Sequence, residues 1–317
     1  MAAVKYSLIV PVYGNEDSVR ELVDAIATLA RRVDGSFEAV FVVDGSPDAS
    51  FARLRDALPS AGFASQLLLH ARNFGSFAAI RSGLVVARGE FLAVMAADLQ
   101  EPIELIETFF RTLASDDADV VVGTRSGRAD PFPTRLASTL FWWSYRTFVQ
   151  PAIPPGGVDV FGCSRAFRDE LLALNEANTS LVGQLFWLGF RRATIPYERL
   201  PRRHGRSAWS LSRKLKYFMD SLFAFSDLPI RLLIAAGGIG LVAAITLGLV
   251  VGIARLIGGI EVPGYAMTMV TVLFFGGLNA FGLGIIGAYT WRAYENTKQR
   301  PLAIVQRALE FRSGEPD

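Results

Sequence analysis

The chain holds one cysteine, Cys163, in 317 residues. An intrachain disulfide is therefore excluded, which fits a reducing compartment. A lone cysteine reads as a small buried hydrophobe before it reads as a nucleophile. Charge of one sign is also scarce. Lys and Arg number 32 against 30 Asp and Glu, a formal net charge of +2. That is too little positive charge for a nucleic-acid partner. Internal repeats and low-complexity tracts are missing as well. The opening stretch, MAAVKYSLIVPVYG, has a short apolar run that ends at Pro11. It reads as a strand and not as a signal peptide.

What the sequence does have is two long uncharged runs, Leu232 to Ile253 and Met267 to Trp291. A bilayer-spanning helix needs about 20 apolar residues, and each run suffices. Removing this hairpin leaves about 230 residues, enough to bury a full core. Before the first run crowd Arg202, Arg203, Arg206, Arg213, Lys214, Lys216 and Arg231. Such a cluster suits anionic headgroups, and it equally serves as a topological signal. Between the runs, Ala254 to Ala266 carries only Arg255 and Glu261; Arg292, Lys298 and Arg300 follow the second. The positive-inside rule then places both flanks, both termini and the catalytic part in the cytoplasm. The expectation is an integral protein of the inner (cytoplasmic) membrane. Gly248 and Gly252 form a G-x-x-x-G, a weak signal for a homo-oligomer through the membrane helices.

The first part alternates strand and helix patterns. Apolar runs at Tyr6 to Val12, Phe37 to Val43, Gln66 to Leu69, Phe91 to Ala96 and Asp119 to Val122 read as strands. Ser18 to Ala30, Asp48 to Leu58, Ser76 to Val86 and Ile103 to Leu113 read as helices. This pattern predicts an α/β fold, whose ligands sit beyond the carboxyl ends of the strands. Arg125 to Pro155, with five prolines around an aromatic stretch from Leu140 to Phe148, reads as a mobile or membrane-facing segment. Ser210 to Phe225 mixes bases and aromatics at helical spacing. It suits the interface plane, or a core-packing helix with a wet basic face. Trp142, Trp143 and Trp187 read as packing or interfacial anchors, and His204 as a solvated residue.

The strand ends carry the chemistry. After the first comes Pro11-Val12-Tyr13-Gly14-Asn15-Glu16, and after the second Val43-Asp44-Gly45-Ser46-Pro47-Asp48. Taken alone, each is also an ordinary turn with an N-cap. His70-Ala71-Arg72-Asn73-Phe74-Gly75 follows the third, and Ala96-Ala97-Asp98-Leu99-Gln100-Glu101-Pro102 the fourth. Asp98 and Gln100, two apart, face the same way if the segment is extended. Oxygen ligands of this kind suit Mg²⁺ or Mn²⁺ shared with a diphosphate.

Together these motifs resemble the inverting nucleotide-sugar glycosyltransferases of family 2, in their polyprenyl-phosphate branch. Gly156-Gly157-Val158-Asp159, Arg202-Arg203-His204-Gly205-Arg206-Ser207, Ser226-Asp227-Leu228-Pro229 and Glu295 to Pro301 extend the likeness over nearly the whole chain. The resemblance implies a GT-A (nucleotide-diphospho-sugar transferase) domain over residues 1–209, with a mixed, mostly parallel sheet. An amphipathic juxtamembrane segment (210–230), two transmembrane helices (231–292) and a cytoplasmic tail (293–317) would follow. It implies donor contacts from Pro11, Tyr13, Glu16, Asp44, Arg72, Asn73, Gly75 and Asp98. It implies a metal on Asp98 and Gln100, and acceptor contacts from Arg125, Arg202, Arg206 and Ser207. Asp98, Asp159 and Arg202 would serve catalysis. The partners implied are a nucleotide-diphosphate sugar, a polyprenyl phosphate and the membrane.

The chain departs from the pattern at Ala96, where the family's D-x-D begins with aspartate, at Val43, the first position of D-D-G-S, and at Ala208. A missing carboxylate weakens metal affinity. Two other readings follow from these departures: transfer to a glycolipid or glycan hydroxyl, with Asp159 as a real base, and a non-catalytic nucleotide-sugar-binding membrane module.

Overall fold

The computed structural model describes residues 3–126, 142–154, 157–158, 160–201, 211–257 and 264–312. Eight strands form one sheet: β1 (Tyr6–Val12), β2 (Phe37–Val43), β3 (Ala64–His70), β4 (Phe91–Val94), β5 (Val120–Arg125), β6 (Phe161–Ser164), β7 (Arg192–Tyr197) and β8 (Val305–Phe311). Their spatial order is β7-β5-β6-β4-β1-β2-β3-β8. β4, β1, β2 and β3 run parallel, β7 runs parallel to β5, and β6 and β8 are antiparallel to their neighbours. The sheet is thus mixed and mostly parallel, as the alternating pattern predicts.

The helices are α1 (Val19–Arg32), α2 (Ser50–Ala57), α3 (Ser76–Val86), α4 (Ile103–Ala114), α5 (142–148), α6 (Arg165–Ala173), α7 (Leu181–Trp187), α8 (Leu211–Phe225), α9 (Leu228–Leu256) and α10 (Tyr265–Thr297). Parallel strands need crossovers, and α1, α2 and α3 supply them between β1, β2, β3 and β4. Both sheet faces are covered, so the strands are apolar on both sides. Leu8, Val10 and Val12 of β1 pack with Leu22, Ile26 and Leu29 of α1 on one face. Ile9, between them, joins Ile80 and Leu84 of α3 on the other. The period of two in the strand and of three to four in the helix is what makes this division.

α5 buries Tyr145 in the second core and leaves Trp143 and Phe148 exposed, while residues 127–141 of the segment lie outside the described residues. α8 packs Tyr217, Phe218, Leu222 and Phe225 on the same core while Leu215 stays exposed. One side of this helix packs on the core, and Leu215 and Met219 leave an apolar exposed side.

α9 and α10 are long and apolar enough to cross a membrane and bury little of their surface. They meet at glycines: a β-carbon on Gly240 would lie 3.1 Å from Phe275, and one on Gly282 3.1 Å from Leu233. A β-carbon on Gly248 would meet nothing within 4 Å, so Gly248 is not a close-approach point of the two helices.

After α10 the chain returns to the sheet. β8 adds to β3, with the pairs Leu67 to Leu309 and Ser65 to Phe311. Leu309 and Phe311 pack on the first core, while most of the strand is exposed. Residues expected to form a cytoplasmic tail are thereby part of the catalytic sheet.

Candidate active site

Four loops leave the carboxyl ends of β1 to β4 at one edge of the sheet. The first two are cross-linked. Gly14 N donates to Ser46 Oγ at 2.8 Å, Asn15 N to Ser50 Oγ at 3.2 Å, and Glu16 N to Asp48 Oδ2 at 3.1 Å. Ser46 Oγ and Ser50 N both donate to Asp48 Oδ1, at 2.6 and 3.1 Å. Burial opposes ionisation of Asp48, but these hydrogen bonds outweigh it and hold the carboxyl below the usual range. Glu16 turns back to accept from Ala49 N at 3.1 Å, at the start of α2. Tyr13 stays 40% exposed between these loops.

Asp44 joins the second loop to the third. It is buried, and Oδ1 accepts from Phe74 N at 2.9 Å and meets His70 Nδ1 at 2.8 Å. Its Oδ2 accepts from Gly75 N at 2.7 Å. His70 is itself buried, with Nε2 2.9 Å from Ser82 Oγ of α3. These contacts occupy much of the carboxylate and shape the loop that presents Arg72 and Asn73. Both of those side chains are exposed, and the Arg72 guanidinium lies 4.0 Å from the Phe74 ring centroid. Gly45 makes the close approach possible. It adopts φ +57°, and a β-carbon there would stand 2.2 Å from the Arg72 carbonyl carbon.

The fourth loop is a turn, not an extended segment. Leu99 adopts φ +52°, which is costly for a residue with a bulky side chain. Asp98 is half-buried before this reversal, and Ala97 O accepts from Ser18 Oγ at 3.2 Å. Gln100, after it, is turned into the protein. Its Oε1 accepts from Arg199 Nη2 at 2.6 Å, and its Nε2 donates to Leu200 O at 3.2 Å. Across the reversal at Leu99, Asp98 Oδ1 accepts from Gln100 N at 3.4 Å. The Gln100 oxygen meant for a metal is hydrogen-bonded to a guanidinium. Among the described residues no three His, Cys, Asp or Glu side chains converge as a metal site.

Arg125 closes β5 in register with Tyr197, and Ser126 N donates to Tyr197 O at 2.8 Å. The acceptor-side expectation thus starts from the segment that also carries Arg199. Asp159, Arg202, Arg206 and Ser207 lie outside the described residues. Sequence reasoning missed Ser18, Ser46, Asp48, Ser50 and Arg199. Asp48, five residues after a strand and just before a helix, was the one with a legible turn signal.

This arrangement has known counterparts. Glucosyl-3-phosphoglycerate synthase of Mycobacterium tuberculosis, solved with Mn²⁺ and uridine-diphosphate-glucose, aligns at TM-score 0.50 and 16% identity over 70% of this chain and 79% of its own. At that identity the likeness is one of fold, and the fold is of the GT-A type.

The sequence comparisons go further. The family model for glycosyl transferase family 2 matches residues 7–174. A putative glycosyltransferase of Bacillus subtilis, CsbB, is 32% identical over 95% of this chain and 91% of its own. The undecaprenyl-phosphate 4-deoxy-4-formamido-L-arabinose transferase of Pseudomonas paraeruginosa is 31% identical over 96% and 90%. A prophage bactoprenol glucosyl transferase homolog of Escherichia coli is 28% identical over 96% and 99%. The chain belongs to glycosyl transferase family 2, and it is a glycosyltransferase.

Proposed function

We propose that this enzyme transfers one sugar from a nucleotide-diphosphate sugar to a polyprenyl phosphate at the cytoplasmic face of the membrane. The observation that carries the reading is the union of two parts: the apolar hairpin runs on into β8, a strand of the same sheet whose strand ends carry the loops. Relatives named for undecaprenyl phosphate and bactoprenol, matched nearly end to end, support the lipid acceptor.

The donor lies across the loops after β1 to β4, against Pro11, Tyr13, Glu16, Arg72, Asn73 and Asp98. Asp44 acts on it through the Phe74–Gly75 turn that it holds, and Gly75 lets that turn form. A phosphate oxygen of the lipid attacks the anomeric carbon. The bond from that carbon to the diphosphate breaks, and the nucleoside diphosphate leaves with the electron pair. A phosphate monoester has a second pKa of about 6, so the acceptor is ionised at pH 7 and no strong base is required. Asp159 orients the acceptor. Arg202, Arg206, Ser207 and Arg125 hold its phosphate, for which the planar guanidinium fork is suited.

A divalent ion would be held by Asp98 and by the donor's own diphosphate, since Mg²⁺ is commonly bound through one or two carboxylates plus substrate phosphates. Bound there, Mg²⁺ or Mn²⁺ would neutralise charge on the leaving group. A homo-oligomer would use the outward face of the hairpin, where Gly248 is open.

Steady-state kinetics with each substrate varied tests this. Arg202→Ala should raise KM for polyprenyl phosphate and leave donor KM nearly unchanged, and Arg202→Lys should recover part of the loss. The rate should fall as pH drops through about 6, where the acceptor takes up its second proton. A donor-KM effect without an acceptor-KM effect would assign the loop to the nucleotide. Donor binding with no lipid product would make the chain a binding module.

A further inference from the structure

We infer that His70 is a positioning residue for the donor: through Asp44 and the Phe74 ring it sets where the Arg72 guanidinium stands. The inference rests on the transferase reading above, which places Arg72 and Asn73 against the nucleotide sugar.

His70 ends β3, and the loop that follows is pinned at both ends. At its start, Ala71 N donates to Ile304 O at 2.9 Å, just before β8. At its finish, Asp44 accepts from Phe74 N at 2.9 Å and from Gly75 N at 2.7 Å. Between the pins, Arg72 and Asn73 are exposed. The second pin is only as firm as Asp44. That carboxyl group is 2% exposed, and a buried charge is tolerated only when it is paired and hydrogen-bonded. His70 Nδ1, 2.8 Å away, supplies the third donor. A carboxylate accepts and does not donate, so the ring proton sits on Nδ1. Nε2 is 2.9 Å from Ser82 Oγ on α3, which fixes the plane of the ring. His70 is 1% exposed, so it meets no substrate and acts through its neighbours.

A second path runs through the rings. The Phe74 ring stands at 90° to the imidazole, with centroids 5.6 Å apart. The Arg72 guanidinium lies over the same phenyl ring, 4.0 Å from its centroid. Phe74 is thus held by its backbone through Asp44 and by its ring against His70, and its face seats a cation. A seated guanidinium loses less conformational freedom when it pairs with the donor. Both paths begin at one imidazole. Leucine in its place would fill the space but supply neither the hydrogen bond to Asp44 nor the aromatic contact with Phe74.

The test uses the full-length enzyme in nanodiscs as wild type, His70→Leu, His70→Asn and Phe74→Leu. The donor is taken from a panel of uridine-, guanosine- and thymidine-diphosphate sugars, and the acceptor is undecaprenyl phosphate. Donor KM, acceptor KM and kcat are measured, with donor Kd by isothermal titration. Amide hydrogen exchange over residues 71–77 is followed without substrates. His70→Leu should raise donor KM and Kd by about tenfold, equivalent to about 1.4 kcal/mol, with acceptor KM within about twofold of wild type. Exchange at Phe74 and Gly75 should quicken, because both amides lose a fixed acceptor. His70→Asn keeps an N–H for Asp44 but no ring, so it should restore slow exchange and recover part of the donor affinity. Phe74→Leu is the converse, keeping the backbone bonds and removing the seat for Arg72. Exchange at Gly75 should then match wild type while donor KM rises about threefold.

A purely structural His70 would lower the melting temperature and leave donor KM and Kd of the folded enzyme unchanged, and that result overturns the inference. If His70→Leu does not fold, His70→Asn and Phe74→Leu still decide, since an unchanged donor Kd in both overturns it. A wild type that binds a nucleotide sugar and makes no lipid product would reject the transferase reading, and the Kd comparison would then judge His70 alone. A wild type that binds none of the panel rejects both.

Discussion

Asp44 and Asp48 lie four positions apart in one loop; Asp44 read from the sequence as a donor contact, and Asp48 only as part of the turn. The structure gives them structural work. Asp44 gathers two backbone amides and a buried imidazole, and Asp48 ties the loop after β2 to the loop after β1. For Asp48 the consequence is a pH dependence. Its folded pKa lies below the ordinary carboxylate value because its hydrogen bonds outweigh the effect of burial. A carboxylate shifted in this direction adds stability above its unfolded pKa, near 3.9, and loses it as pH falls through the folded value. The difference in melting temperature between wild type and Asp48→Asn should therefore be largest above about pH 4 and shrink below it. Melts from pH 7 to pH 3 check this, and a gap that widens toward acid would reject the assignment.

At the scale of elements, the hairpin is fastened to the catalytic domain by a small set of polar contacts. Arg292 of α10 pairs with Asp220 of α8 at 2.9 Å and donates to Asn178 O at 3.2 Å. Asn296 Oδ1 accepts from Ala177 N at 2.9 Å, and Tyr289 OH donates to Ser226 O at 3.2 Å. The Arg292 and Asp220 side chains are 20% and 16% exposed, so removing one leaves the other partly buried and unpaired. Arg292→Met should cost about 1–3 kcal/mol, the range for stranding a buried polar partner. Asp220→Ala should cost less in the Arg292→Met background than alone, with a coupling of about 0.5–3 kcal/mol. Thermal unfolding of the four proteins in one detergent measures that cycle. Additive effects would mean the pair contributes no coupling. The strand side of the same junction is β8, whose Glu310 pairs with Arg88; just before it, Ile304 O accepts from Ala71 N at 2.9 Å.

The whole molecule has one topological consequence. α9 follows α8 directly, and α10 runs back to α8 and then to β8, so both inner ends of the hairpin meet the catalytic domain. We propose, from the charge asymmetry of the flanks, that this side is the cytoplasm. The turn between the spans should then face the opposite aqueous phase. A Gly259→Cys variant tests this without further engineering. Cys163 is fully buried, and burial pushes its thiol up to about 12, so it stays silent toward thiol reagents. An impermeant maleimide should label the variant from outside in intact cells. Labelling from the cytoplasmic side alone would reverse the topology.

Local pattern was enough for much of this molecule. The strands Tyr6–Val12 and Phe37–Val43 and the helix Ser76–Val86 were legible to the residue, and both spans to within several residues. The motif-bearing loops were legible as loops. Apolar runs and turn residues act over a few positions, so one sequence suffices to read them. The rest depended on partners far along the chain. β8, with sequence VQRALEF, is largely exposed and has no continuous apolar signal; its pairing with β3 makes it a strand. β6 and β7 likewise owe their places to β5, and β6 also to β4. Two-residue spacing made Asp98 and Gln100 look alike, but the backbone reverses at Leu99 and the Gln100 amide is bonded to Arg199 and Leu200, about 100 residues away. Asp44 looked like a ligand because its partners, His70 and the Phe74–Gly75 amides, are some 30 residues away. The sequence by itself determined which residues arrive at the strand ends, because burial and turn formation are local demands. Only the tertiary structure decided what each of them faces there, because a hydrogen bond is settled by whichever distant group the fold brings within about 3 Å.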